Sequence, residues 1–159
     1  KIWFGKTAAL AILLFVTNLF LWIATTVAGM AASVTVSPLD GLIGCMLLFL
    51  TYLWQIPVIM QLTCFMGHMK VVFVSLAANV ILSAVCAEKE WFLFVPYAIP
   101  ARVVCPFFKM HVNGIPLEDA SSLLSAGYVF PAVIVSLVFA LAVFWGGSKL
   151  FSRGGWVHE

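Results

Sequence analysis

Long apolar runs, interrupted by short clusters of charge, proline and glycine, set the rhythm of this chain. A helix needs about 20 apolar residues to cross a bilayer. Four stretches fit that requirement: residues 7–32, 41–66, 71–87 and 126–150. The third is short and has room to extend outward past Glu88. The pattern predicts an all-α membrane protein with four transmembrane helices in a single domain.

Residues 88–125 break the rhythm. They are strongly apolar and aromatic, yet they carry Pro96, Pro100, Pro106 and Pro116. Each proline removes a backbone donor and resists a continuous helix, and the residue before each is pushed toward extended geometry. A fifth straight span is therefore not expected. The physical compromise is a re-entrant hairpin, a pair of short helices dipping into the outer leaflet and turning back. Trp91, Phe92 and Tyr97 suit a membrane interface, and Asn113-Gly114 is a turn signal.

Polar residues inside the spans fall in rows. Ser75, Asn79 and Ser83 are spaced by four along one face of the third span. Asn18 lies in the first span, and Thr51, Gln55 and Gln61 in the second, around Pro57. Pro57 frees the carbonyl of Leu53 and is expected to bend the helix. Asn18, Gln55, Gln61 and Asn79 are candidates to line a substrate path, although hydrogen bonding between helices is the commoner reason for such residues. Ala24, Ala28 and Ala32, beside Thr25, Gly29 and Ser33, mark a face on which helices approach closely.

Composition agrees with lipid as the main solvent. Hydrophobic residues make up 64% and charged residues 9%, against roughly 45–50% and about 25% in soluble domains. The net charge of +2 is scattered, so no basic face suggests nucleic acid. Lys1, Lys6, Lys70, Lys149 and Arg153, with His68, fall on one side of a four-span arrangement. Lys89, Arg102 and Lys109 fall on the other, as do Asp40, Glu88, Glu90, Glu118 and Asp119. The excess of basic residues places both ends of the chain in the cytoplasm. The sequence starts at Lys1, without an initiator Met, and reads as part of a longer chain; a signal peptide is not expected.

Several chemistries lack their residues. No span carries an ionisable group in its middle, which argues against a self-powered carrier. His68, His111 and His158 are far apart, and no phosphate-binding loop or nucleophile elbow occurs. Cys45, Cys64, Cys86 and Cys105 form no C-x-x-C pair and read as buried hydrophobes, with a Cys86–Cys105 disulfide as the sharper alternative.

The run Ile99-Pro100-Ala101-Arg102, then Cys105-Pro106, then Asn113-Gly114-Ile115-Pro116-Leu117, resembles the permease subunits of lantibiotic-immunity ABC transporters, of the MutE/EpiE type. Trp54-Gln55-Ile56-Pro57 resembles their preceding span. The resemblance implies an ABC-2 permease, usually of six spans, of which these would be the third to sixth. Short re-entrant helices join the last two spans of that group on the outer face. It also implies a bacterial cell membrane location, an ATP-binding subunit and a second permease as partners, and a lantibiotic peptide as cargo. ATP hydrolysis would sit on the separate subunit, so this chain is not expected to be an enzyme or to hold a cofactor.

On that reading Trp91, Tyr97, Arg102 and Asn113 shape an outer site. Arg102 either pairs with Glu118 or Asp119 or snorkels to headgroups. Alternatives are an ABC-2 exporter of another hydrophobic or lipid-like cargo, a four-span membrane thiol oxidoreductase, and a membrane scaffold.

Overall fold

The computed structural model describes residues 2–32, 37–118 and 121–153, without the side chains of residues 31, 32, 152 and 153. Lys1, Ser33, Asp119 and His158, and the side chains of Ala32 and Arg153, lie outside the described residues. Among the described residues six α-helices follow one another: α1 (Ile2–Ala32), α2 (Pro38–Tyr52), α3 (Gln55–Met66), α4 (His68–Cys86), α5 (Ala98–Phe108) and α6 (Val129–Arg153). Three helical segments are long and apolar enough to cross a membrane: Ile2–Met30, His68–Cys86 and Ala126–Phe151.

The second span is broken. α2 and α3 meet at an angle of 42° across Leu53 and Trp54. Pro57 is the third residue of α3, where a missing N–H costs little. The Leu53 carbonyl it frees accepts from Ile56 N at 3.3 Å. The expected bend is therefore present.

Side-chain ties orient the spans. Trp3 packs on Phe144 and Phe151, with ring centroids 6.5 and 5.5 Å away. Gln61 Nε2 donates to the Val143 carbonyl at 3.1 Å, and Thr7 Oγ1 meets Met60 Sδ at 3.6 Å. The start of α1 and the ends of α3 and α6 thus share one face, here the Trp3 face. At the opposite end Trp22 Nε1 donates to Pro38 O at 2.9 Å. The α2–α3 pair therefore runs from one face to the other, the course of a single bent span.

Each span shifts at one end or both relative to the sequence pattern, and two of these shifts bear on the site. α1 begins at Ile2, because a helical backbone continues through the interfacial Trp3 and Lys6. The third span does not extend past Glu88. α4 ends at Cys86, where Ala87 N donates to Ser83 O at 3.1 Å and the chain turns. Gly67 alone joins α3 to α4; its φ of 76° is a conformation that glycine adopts without a Cβ clash.

The outer surfaces of α1, α4 and α6 are apolar: Phe20 is 67% exposed, Phe73 66% and Leu141 64%. Monomeric soluble proteins rarely show such continuous apolar faces. The molecule is an all-α, membrane-embedded protein. Its packed centre lies instead around α2, which touches α1, α5 and α6. Cys86, Phe92, Ile99, Val103 and Ala132 close the core beside α5.

Candidate functional site

Segment 87–128 leaves the end of α4 and returns to the start of α6. α4 begins at the Trp3 face, beside the end of α3, and α6 finishes there. The segment therefore starts and ends on the opposite face and does not cross. In place of the expected pair of short helices, it holds one α-helix and 3-10 turns at Phe92–Phe94, Ser122–Leu124 and Ala126–Tyr128. Pro96 explains the difference. It keeps the descending limb out of α geometry, and Val95 before it is extended (φ −113°, ψ 97°).

The tip of the hairpin is Tyr97. Its ring meets Trp54 edge-on, with centroids 4.7 Å apart, at the break in the second span. Its carbonyl accepts from Ser83 Oγ at 2.9 Å. α5 then climbs back along α2 until Phe108 reaches Gly44. A Cβ on Gly44 would come within 2.9 Å of that ring, so glycine permits the close approach. Pro100 sits in the first turn of α5, where its missing N–H is tolerated. Pro106 lies inside the helix and leaves the Arg102 carbonyl without its usual donor.

Arg102 is 9% exposed. Its guanidinium carbon lies 4.8 Å from the Tyr128 ring centre and 5.3 Å from that of Phe92, within range of cation–π attraction. One terminal nitrogen donates to Ala87 O at 3.3 Å. The side chain thus joins the hairpin to the end of α4 and the start of α6. The expected pairing with Glu118 is not formed, and Asp119 lies outside the described residues. Nor does Arg102 snorkel: the aromatic rings enclose it instead.

Beyond α5, Lys109 takes a left-handed turn (φ 53°) and a short loop doubles back. His111 N donates to Ile115 O at 2.8 Å, Leu117 N to Lys109 O at 2.9 Å, and Asn113 Oδ1 accepts from Ile115 N at 3.1 Å. Asn113 and Gly114 form the turn that their sequence signals. His111 Nδ1 lies 2.8 Å from Glu88 Oε1 and ties this loop to the end of α4.

The four outer candidates have separate settings: Arg102 is buried and Tyr97 half-buried, while Trp91 and Asn113 are exposed. The four intramembrane candidates are all hydrogen-bonded within the chain. Asn18 Nδ2 donates to Leu14 O at 2.9 Å, and Gln61 bonds α6. Gln55 Nε2 donates to Asn79 Oδ1 at 2.9 Å, and Asn79 Nδ2 to Ser75 O at 2.8 Å. Phe92, Tyr128 and Ala87, which enclose Arg102, were not singled out as its partners by the sequence reading. Pro106, four residues after Arg102, was the available signal, since it announces a carbonyl in need of a donor.

Cys86 and Cys105 are free and buried, so the alternative disulfide is not formed. Burial pushes the Cys105 thiol up to about 11; the Arg102 charge opposes that rise. Among the described residues, no group of three metal-ligating side chains comes together.

A cavity of about 810 Å³ opens between α1, α2, α5 and the 110–114 loop. Leu21, Gly29, Gly41, Val104 and Phe108 give it apolar walls, with Thr25 and His111 among its few polar members. Its size falls in the roughly 300–1,000 Å³ range of small-molecule sites. Comparison of the chain with family models, curated proteins and solved structures finds no match.

Proposed function

We propose that this chain is the permease subunit of an ABC-type exporter that removes a membrane-inserted amphipathic peptide, of the lantibiotic kind, from a bacterial cell membrane. One observation carries the reading: a proline-broken, largely apolar hairpin enters from one face, reaches Trp54 with Tyr97, and returns along α2 without crossing. Non-helical backbone at membrane depth is tolerated where protein covers it or where it lines a cavity. Both conditions occur here.

On this reading Lys6, Lys70 and Lys149 mark the cytoplasmic side, and the hairpin faces outward. A peptide lying in the outer leaflet meets the hairpin laterally, before any polar channel is needed. A separate ATP-binding chain and a second permease complete the assembly. ATP binding there shifts the permease pair between arrangements of different affinity for the peptide.

The experiment is to express the complete permease pair with its ATPase in a sensitive strain and measure growth inhibition by a panel of lantibiotics. Raised tolerance to at least one peptide, lost with a hydrolysis-dead ATPase, supports the proposal. Unchanged sensitivity to all of them overturns it. Release of a short-chain fluorescent lipid in place of peptide tolerance assigns the cargo to the lipid-like class.

A further inference from the structure

We infer that the cavity between α1, α2 and α5 holds one acyl chain of a membrane phospholipid. The inference does not depend on what the assembly exports. It rests on how three polar side chains of the wall are already committed.

Thr25 Oγ1 donates to the carbonyls of Leu21 and Trp22, at 2.9 and 3.0 Å. Cys105 Sγ donates to Ala101 O at 3.2 Å. His111 is held by Glu88 at 2.8 Å. These groups leave little for a polar guest, and among the described side chains only the hydroxyls of half-buried Thr26 and exposed Ser37 add to them. A peptide backbone entering here would bring one N–H and one C=O per residue, and each left without a partner is costly. A hydrocarbon chain brings none. It passes from bilayer hydrocarbon into an apolar cavity without exposing its methylenes to water.

The surroundings suit a phospholipid over a free hydrocarbon. The cavity is bounded by the second half of α1, whose other sides are exposed and apolar, so a chain can enter sideways from the bilayer. Lys109 is exposed and stands in the chain between Phe108 and Met110, which both line the cavity. Its ammonium is a counter-charge available to a lipid phosphate.

The test uses the full chain in nanodiscs of phosphatidylcholine that include a phosphatidylcholine with a diazirine midway along one chain. After irradiation, adducts are mapped by mass spectrometry. Adducts on residues 21–30 and 101–108 are expected to exceed those on the equally apolar Val72–Val80 face of α4 by about fivefold. Val104→Trp, which fills the cavity, lowers them to the α4 level while the α4 adducts stay constant. Ala28→Phe narrows the same space from the α1 side and serves if the first variant fails to fold. Equal labelling of both regions, or labelling indifferent to both substitutions, overturns the inference. So does displacement of the lipid adducts by a synthetic amphipathic cationic peptide but not by added unlabelled phospholipid, which would make the occupant a peptide.

Discussion

The Tyr128 hydroxyl lies 3.3 Å from the backbone carbonyl of Arg102, the acceptor that Pro106 leaves without an intrahelical donor. It also lies 2.9 Å from Leu123 O, so one hydrogen is shared between two carbonyls, with the nearer one favoured. A tyrosine at the mouth of α6 thereby offers a weaker, shared donor to the carbonyl that a proline inside α5 frees, and its ring lies against the side chain of the same arginine.

Tyr128→Phe keeps the ring and removes the hydrogen. Stability in detergent is expected to fall by about 1–2 kcal/mol, the cost of leaving buried carbonyls without a donor. Pro106→Ala restores a helical N–H to Arg102 O. In that background the Tyr128→Phe cost should shrink by about 0.5–1 kcal/mol. Equal costs in both backgrounds, read from denaturant titration, would mean that the two residues act independently.

Arg102→Lys keeps the charge but loses the planar group between Phe92 and Tyr128. A loss of about 1–2 kcal/mol is expected, with faster proteolysis within residues 88–97 because the hairpin is less firmly held. Wild-type protease resistance in the variant would show that the stacking does not anchor the segment.

Gln55 and Asn79 test whether polar residues of the spans line a path or join helices. Each single change to leucine strands its partner's amide and is expected to cost about 1–2 kcal/mol, and the double change less than the sum. If the pair only joins α3 to α4, transport in the double variant stays near wild type. A large loss of transport at unchanged stability would place the pair on the path.

Cys105 offers a pH-dependent readout. Its thiol, pushed up to about 11 by burial, stays protonated at neutral pH and is a poor nucleophile there. Below that value the thiolate fraction climbs about tenfold per pH unit. Iodoacetamide should therefore leave Cys105 largely unmodified at pH 7 and modify it increasingly between pH 8 and 10. Rapid modification of Cys105 at pH 7 would contradict its buried setting, and a reductant-sensitive Cys86–Cys105 link would revive the oxidoreductase alternative.

The sequence by itself determined the solvent and where the apolar helices lie. Apolar runs of span length leave few other ways to satisfy the backbone, and Pro57 marks the bend in the second span because a missing N–H acts locally. The four prolines of segment 88–125 likewise exclude a straight fifth span, and Asn113-Gly114 specifies its own turn. Only the tertiary structure decided the partners. Arg102 had two carboxylates within easy sequence reach, yet it stacks between Phe92 and Tyr128 because α5 turns it toward the ends of α4 and α6. The same packing paired Gln55 with Asn79, let Phe108 lie against Gly44, and opened the cavity. These are contacts between segments far apart in the chain, set by how helices approach one another, and no local pattern of residues encodes them.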